Sequence, residues 1–208
     1  PLLGENRVIA HMGLKKLRQN ASAGVAALAR AAGISLPEIS SLSIGYGLGP
    51  RINSAGRMDT AETAIEILTA IGQGPALSQS VAQLCTLNER RRQEVCDILA
   101  DAEKMIAEHG YHTDPAILLA DSRWNAGVIG IAAAKLAEKY YRPCVLFGGE
   151  GDLIGSARSV PGINIYEVLG AFADSYEKFG GHAQAAGLTI RPERLDTLRA
   201  DVYAYIRA

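Results

Sequence analysis

Ala116-Ile-Leu-Leu-Ala120 and Cys144-Val-Leu-Phe-Gly148 are two short apolar runs parted by a helix-patterned stretch from about Val128 to Lys139, and they decide the fold. Bulky apolar runs of this length bounded by turn residues read as buried strands, and strand, helix, strand in that order reads as an α/β unit. Leu153 to Ser159 and Gly187 to Ile190 read as further strands, with helices near 164–177 and 193–207. The expectation for 111–208 is a mixed-sheet α/β domain whose strand order the sequence leaves open.

Upstream the pattern changes. From Pro75 to about Glu108 there is no proline or glycine after the first residue, and Leu77, Val81, Leu84, Val95, Ile98, Ala102 and Met105 recur in steps of three and four. This predicts one long connecting helix over 76–110. Asn88 and Arg91 interrupt the stripe, either because the helix spans solvent there or because the pair faces a substrate channel. Residues 5–19 and 22–32 carry helical spacing, with Gly33 as a stop. Asp59 with Glu62 three positions on reads as a capping box opening a helix through about Ile71. Ser43 to Arg57 holds too many breakers for a regular element and reads as a partly buried loop. Residues 1–75 are therefore a small helical block.

Composition narrows the function classes. With 48% hydrophobic and 21% charged residues the chain can bury a real core. It lacks the roughly 20 consecutive apolar residues of a membrane span. A cytoplasmic location without a membrane partner is expected. Cys85, Cys96 and Cys144 have no CxxC spacing and read as reduced thiols. The formal net charge of −1 offers no bulk attraction to nucleic acid, so any such partner must be held by local sites. The absence of an initiator methionine suggests a segment of something longer.

No GxSxG, Walker, HExxH or Asp-x-Asp pattern occurs, and His109, His112 and Asp114 read as a solvated helix end, so no metal site is expected. Three segments do suggest binding. Gly49-Pro-Arg-Ile-Asn-Ser-Ala-Gly-Arg57 sets Arg51, Asn53 and Arg57 among small residues, and a guanidinium suits phosphate oxygens. Gly155-Ser-Ala-Arg-Ser159 puts Ser156 and Arg158 on one strand face with Ser159 near the turn at Pro161-Gly162, forming a phosphate cup or simply a solvated edge. Phe179-Gly-Gly-His182, before Ala183-Gln-Ala-Ala-Gly187, reads as a turn in which Gly180 and Gly181 let backbone N–H groups approach an anion beside His182.

Taken in order, these segments resemble the RecJ exonucleases of the DHH phosphoesterase superfamily. Leu48 to Arg57 is similar to that family's Leu-Gly-Pro-Arg-(Ile/Leu)-Asn-Ala-Ala-Gly-Arg signature, with Ser54 for an alanine. Pro1 to Arg7 resembles the stretch after the catalytic DHH domain, and by the same resemblance Leu87-Asn88 begins the linking helix. Trp124 to Ile131, Gly155 to Ser159 and Phe179 to Gly187 resemble the signatures of the DHH-associated domain. Asn125 stands where the family usually has histidine, and Ala157 where it often has glycine.

The resemblance implies a parent enzyme, active in DNA repair and recombination, that hydrolyses single-stranded DNA from its 5′ end. It would use Mn²⁺ or Mg²⁺ held by a DHH domain absent here. The chain itself is then expected to be an inactive monomer without cofactor, partnered by single-stranded DNA and by its own N-terminal DHH domain. The resemblance assigns Arg51, Asn53 and Arg57 to the strand's phosphates and Ser156, Arg158 and Ser159 to the 5′-terminal phosphate. Gly180, Gly181 and His182 would lie beside the scissile phosphate, with His182 catalytic. Two rivals are an oligonucleotide or cyclic-dinucleotide phosphodiesterase of the same superfamily and a non-catalytic nucleic-acid-binding module.

Overall fold

The structure is a computed structural model that describes residues 2–208; Pro1, where the resemblance begins, lies outside the described residues. The chain divides into two compact units, one ending at Arg91 and the other running Arg92–Ala208.

The first unit is helical. Helix α1 spans Gly4–Asn20 and α2 spans Ala23–Ala31, the latter capped by the Ser22 hydroxyl accepting from the Val25 N–H. Gly33, at φ +68°, ends α2: its N–H donates to the Arg30 carbonyl and that of Ile34 to Ala29, the paired closure favoured by a left-handed residue. Arg18 of α1 donates Nε and Nη2 to the Ile39 carbonyl at 3.1 and 2.9 Å. Leu28, Ile39, Leu48, Ile67 and Leu84 centre the core.

Two expectations for this unit need correction. Ser43–Leu48 is a π-helical turn and Gly49–Met58 is helix α3, so the glycine-rich stretch is helical rather than a loop. Glycine lowers helix propensity without forbidding the helix, the wider π turn absorbs the misfit, and Pro50 sits in the first turn, where its missing N–H costs little. That extension takes Asp59 as the C-terminal cap of α3. Helix α4, Glu62–Thr69, starts after Ala61 without a side-chain cap, so the capping box does not form.

Helix α5 runs Pro75–His109, 35 residues, and the division between units falls within it. Asn88 is 6% exposed and accepts from Arg91 Nη2 at 3.2 Å, so the polar break in the stripe is not bare to water at Asn88. His109 stacks on Tyr111 with centroids 5.2 Å apart.

The second unit is built on a five-stranded mixed sheet in the order β1-β2-β3-β5-β4, namely β1 Ile117–Ala120, β2 Cys144–Gly148, β3 Leu153–Arg158, β4 Lys178–His182 and β5 Ala185–Ile190. Strands β1 and β2 are parallel, joined through helix α6, Ile129–Tyr140; the remaining pairs are antiparallel. On one face Val145, Phe147, Ala157, Ala186 and Leu188 pack with α7, Ile165–Gly170, and α8, Leu195–Arg207. The other face carries α6 over β2 and β3.

The helix read over 164–177 stops at Gly170, and a 3₁₀ turn follows at Ala173–Ser175. Strand β4 replaces the turn read at Gly180-Gly181-His182, because only Ala183 and Gln184 make the hairpin. All three cysteines are free, and burial pushes the Cys144 thiol far up, which leaves it inert. No helix among the described residues is long and apolar enough to cross a membrane.

Candidate functional site

Strand register assembles the site in the second unit. Arg158 pairs with Ala185, which pairs with His182; Ser156 pairs with Gly187, which pairs with Gly180. Directly paired residues of antiparallel strands project to the same face, so these six form two adjacent rows on the face that carries α6. Strands lie about 4.8 Å apart, which places Arg158 and His182 roughly 10 Å apart across a floor of Ala185 and Gly187. Helix α6 covers β2 and β3, while Gly180, His182 and Gly187 are exposed. The result is a shelf of small residues with a basic wall on one side and an imidazole on the other.

The basic wall is pre-set. Arg158 Nη1 donates to Ser156 Oγ at 2.9 Å and to the Ala157 carbonyl at 2.7 Å. The N-terminal turn of α6 presses against both side chains: a methyl group on Gly130 would lie 2.6 Å from Ser156 Oγ and 2.7 Å from Arg158 Nη2. A guanidinium at a helix N-terminus meets the positive end of the helix dipole, and an anion between the two is favoured by both. Sequence reasoning gives Gly130 no role of its own; the only signal is a glycine inside a predicted helix with no turn to explain it.

Ser159 behaves differently from Ser156. Its hydroxyl donates to the Ile163 carbonyl at 2.7 Å and its N–H to the Gln184 carbonyl at 3.0 Å. It thereby ties the end of β3 to the β4–β5 hairpin, and its hydroxyl hydrogen is already committed. Ala157 is fully buried on the opposite face, so an alanine there leaves the cup untouched.

On the far side, the Gln184 N–H donates to His182 Nδ1 at 3.3 Å, which leaves the hydrogen on Nε2 as an outward donor. Gly181 has φ +156°, and a Cβ there would collide with the Ala185 carbonyl and with Ala186. Gly180 has open space around its missing Cβ.

Asn125, at the turn before α6, accepts from the Gly127 N–H at 2.9 Å and donates Nδ2 to Glu94 Oε2 at 2.9 Å. The neighbouring Trp124 is buried, with Nε1 donating to Asp101 Oδ2 at 3.4 Å. Asp121 accepts from Arg123 Nη2 at 2.6 Å, and that bond holds its carboxyl below the usual range.

In the first unit, α3 sets Asn53 and Arg57 one turn apart on one exposed face. Arg51 projects elsewhere: Nη1 donates to the Gly47 carbonyl at 2.8 Å, and its buried Nε has no acceptor. Ser54 is buried and its hydroxyl donates to the Arg51 carbonyl at 2.5 Å, so the serine fits a site suited to alanine.

No three histidine, cysteine, aspartate or glutamate side chains gather into a metal-holding group among the described residues. The divalent ion that the resemblance implies has no fitting site in them.

Residues 113–208 match the family model described as the DHHA1 domain, which defines the class of the α/β unit. The single-stranded-DNA-specific exonuclease RecJ of Bacillus subtilis is 36% identical over 203 residues, 96% of this chain and 26% of that protein. Two crystal structures of RecJ from Thermus thermophilus superpose over the whole chain. The Mg²⁺ complex gives a TM-score of 0.86 at 29% identity over 32% of its length, and the Mn²⁺ complex 0.87 at 30% identity over 30%. The chain is similar to RecJ along nearly its whole length and spans about a quarter to a third of the length of these relatives.

Proposed function

We propose that this chain is the substrate-gripping part of a longer 5′→3′ single-stranded-DNA exonuclease, with the metal-dependent hydrolysis performed by a DHH domain outside it. The observation that carries this reading is the half-covered sheet face, where Arg158 and Ser156 confront His182 across Ala185 and Gly187. In it the 5′-terminal phosphate takes the end by Arg158, Ser156 and the N-terminal turn of α6, with Ser159 holding that end to the hairpin. The scissile phosphate takes the other end, where Gly180 lets the strand approach the backbone, Gly181 keeps the hairpin tight and His182 donates Nε2–H.

Arg51, Asn53 and Arg57 are assigned to phosphates further along the strand. Asn53 and Arg57 share a helix face suited to tracking a backbone, whereas Arg51, tied to the Gly47 carbonyl, has to turn outward to meet a phosphate. In this reading any divalent ion would be held outside this chain and would supply the activation of water there, while the residues of this chain bind and orient the strand.

Fluorescence anisotropy with labelled single strands tests it. The chain is expected to prefer 5′-phosphorylated over 5′-hydroxyl DNA, and Arg158→Ala to abolish that preference. Equal affinity for the two ends would remove end recognition and leave general backbone binding.

A further inference from the structure

We infer that a cavity walled by Tyr141 holds the nucleobase of the 5′-terminal nucleotide, so that base and phosphate of the strand end are gripped together. The inference rests on the reading of Arg158 given above and extends it to a second contact.

The cavity, of about 250 Å³, opens where β3 leaves the sheet, between the C-terminal half of α6 and the turn at Val160–Pro161. Ala134 and Ala137 line it from the helix, Pro161 faces them, and Arg158 and Ser159 belong to its wall as well as to the phosphate end of the shelf. One helix face thus carries Gly130 against the guanidinium, then Ala134 and Ala137, then Tyr141, at spacings of four, three and four residues. A ligand that is anionic at one end and flat and apolar beyond it matches that sequence of surfaces. A 5′-nucleotide has that form, and the space accommodates one base.

Tyr141 supplies the second part of the argument. It is the sole non-glycine with positive φ among the described residues, at φ 51° and ψ 48°, and it is 67% exposed. The left-handed cap of a helix is ordinarily glycine or asparagine, because a large side chain is strained there. A ring left two-thirds exposed in that conformation gains little from packing, whereas a ring lining a cavity beside a phosphate site can stack on a base. Glu138, on the same wall, offers an acceptor to ring or exocyclic N–H groups.

The test compares two 5′-phosphorylated single strands, one ending in an ordinary nucleotide and one whose terminal nucleotide is an abasic tetrahydrofuran, by anisotropy on this chain. The abasic end should bind about fivefold or more weakly, within the range for loss of one stacked base. Tyr141→Phe should keep that difference. Tyr141→Asn should erase it while holding or raising the melting temperature, since asparagine tolerates the left-handed cap. Equal affinities for the two ends, or a difference that survives Tyr141→Asn, would overturn the inference. If 5′-phosphate preference persists and is lost in Arg158→Ala while the abasic effect is missing, the base pocket alone fails. If neither effect is seen, or neither strand binds, the phosphate reading fails with it.

Discussion

Adjacent glycines in β4 have different reasons to be glycine. Gly181 is demanded by the fold, through its φ and through the backbone that a Cβ would strike. Gly181→Ala should therefore cost about 1–3 kcal/mol in urea unfolding. Gly180 meets no internal obstacle, so Gly180→Ala should leave stability within about 0.5 kcal/mol while weakening binding of single-stranded DNA. An unchanged affinity in that variant would show that no ligand approaches there. Arg158 carries the largest expected binding effect, because charge-assisted contacts contribute roughly 1.5–3 kcal/mol against about 1 for a neutral hydroxyl. If the proposed reading holds, Arg158→Ala in the longer parent exonuclease should lower kcat/KM about tenfold or more on 5′-phosphorylated strands, less on 5′-hydroxyl ones, with Ser156→Ala milder. Asp121 adds a pH dependence. Its folded carboxyl titrates below its ordinary value of 3.8, so its contribution is present above that value and is lost as pH falls through the depressed range. The melting-temperature gap between the chain and Asp121→Asn should accordingly narrow as the pH is lowered below 3.8.

At the scale of elements, sequence patterns are most informative where burial is strict, either on both sides of a strand or along one stripe of a helix. Strand β2 matches its apolar run to the residue, and α5 follows from its stripe, because both are dictated by which side chains must leave water. The misread elements lack that signal. Strand β4 is largely exposed and carries two glycines, so nothing in its composition distinguishes an edge strand from a turn; only the pairing partner β5 settles it. Helix α3 is hidden by glycine and proline, whose local cost is met by a π turn and a first-turn position that composition does not reveal. The pairing of Ser156 with Arg158 is legible from strand alternation. Their alignment with His182 is not, since it depends on β5 lying between β3 and β4. The turn that launches α6 has its own test. Asn125→Ala removes the bonds to Gly127 and Glu94 and should destabilise the α/β unit by roughly 1–2 kcal/mol in chemical denaturation.

Across the whole molecule, the chain combines a helical unit and a DHHA1 domain, and among the described residues no cluster of metal ligands accompanies them. Binding without hydrolysis is the property that separates a gripping part from a self-sufficient nuclease. A labelled 5′-phosphorylated single strand incubated with the purified chain and Mn²⁺ or Mg²⁺ measures both at once, through anisotropy and product release. Saturable binding that is weakened by Arg158→Ala, with the strand recovered intact, is the expected result. Metal-dependent release of mononucleotides that co-purifies with the chain, or the absence of any end-dependent binding, would contradict it.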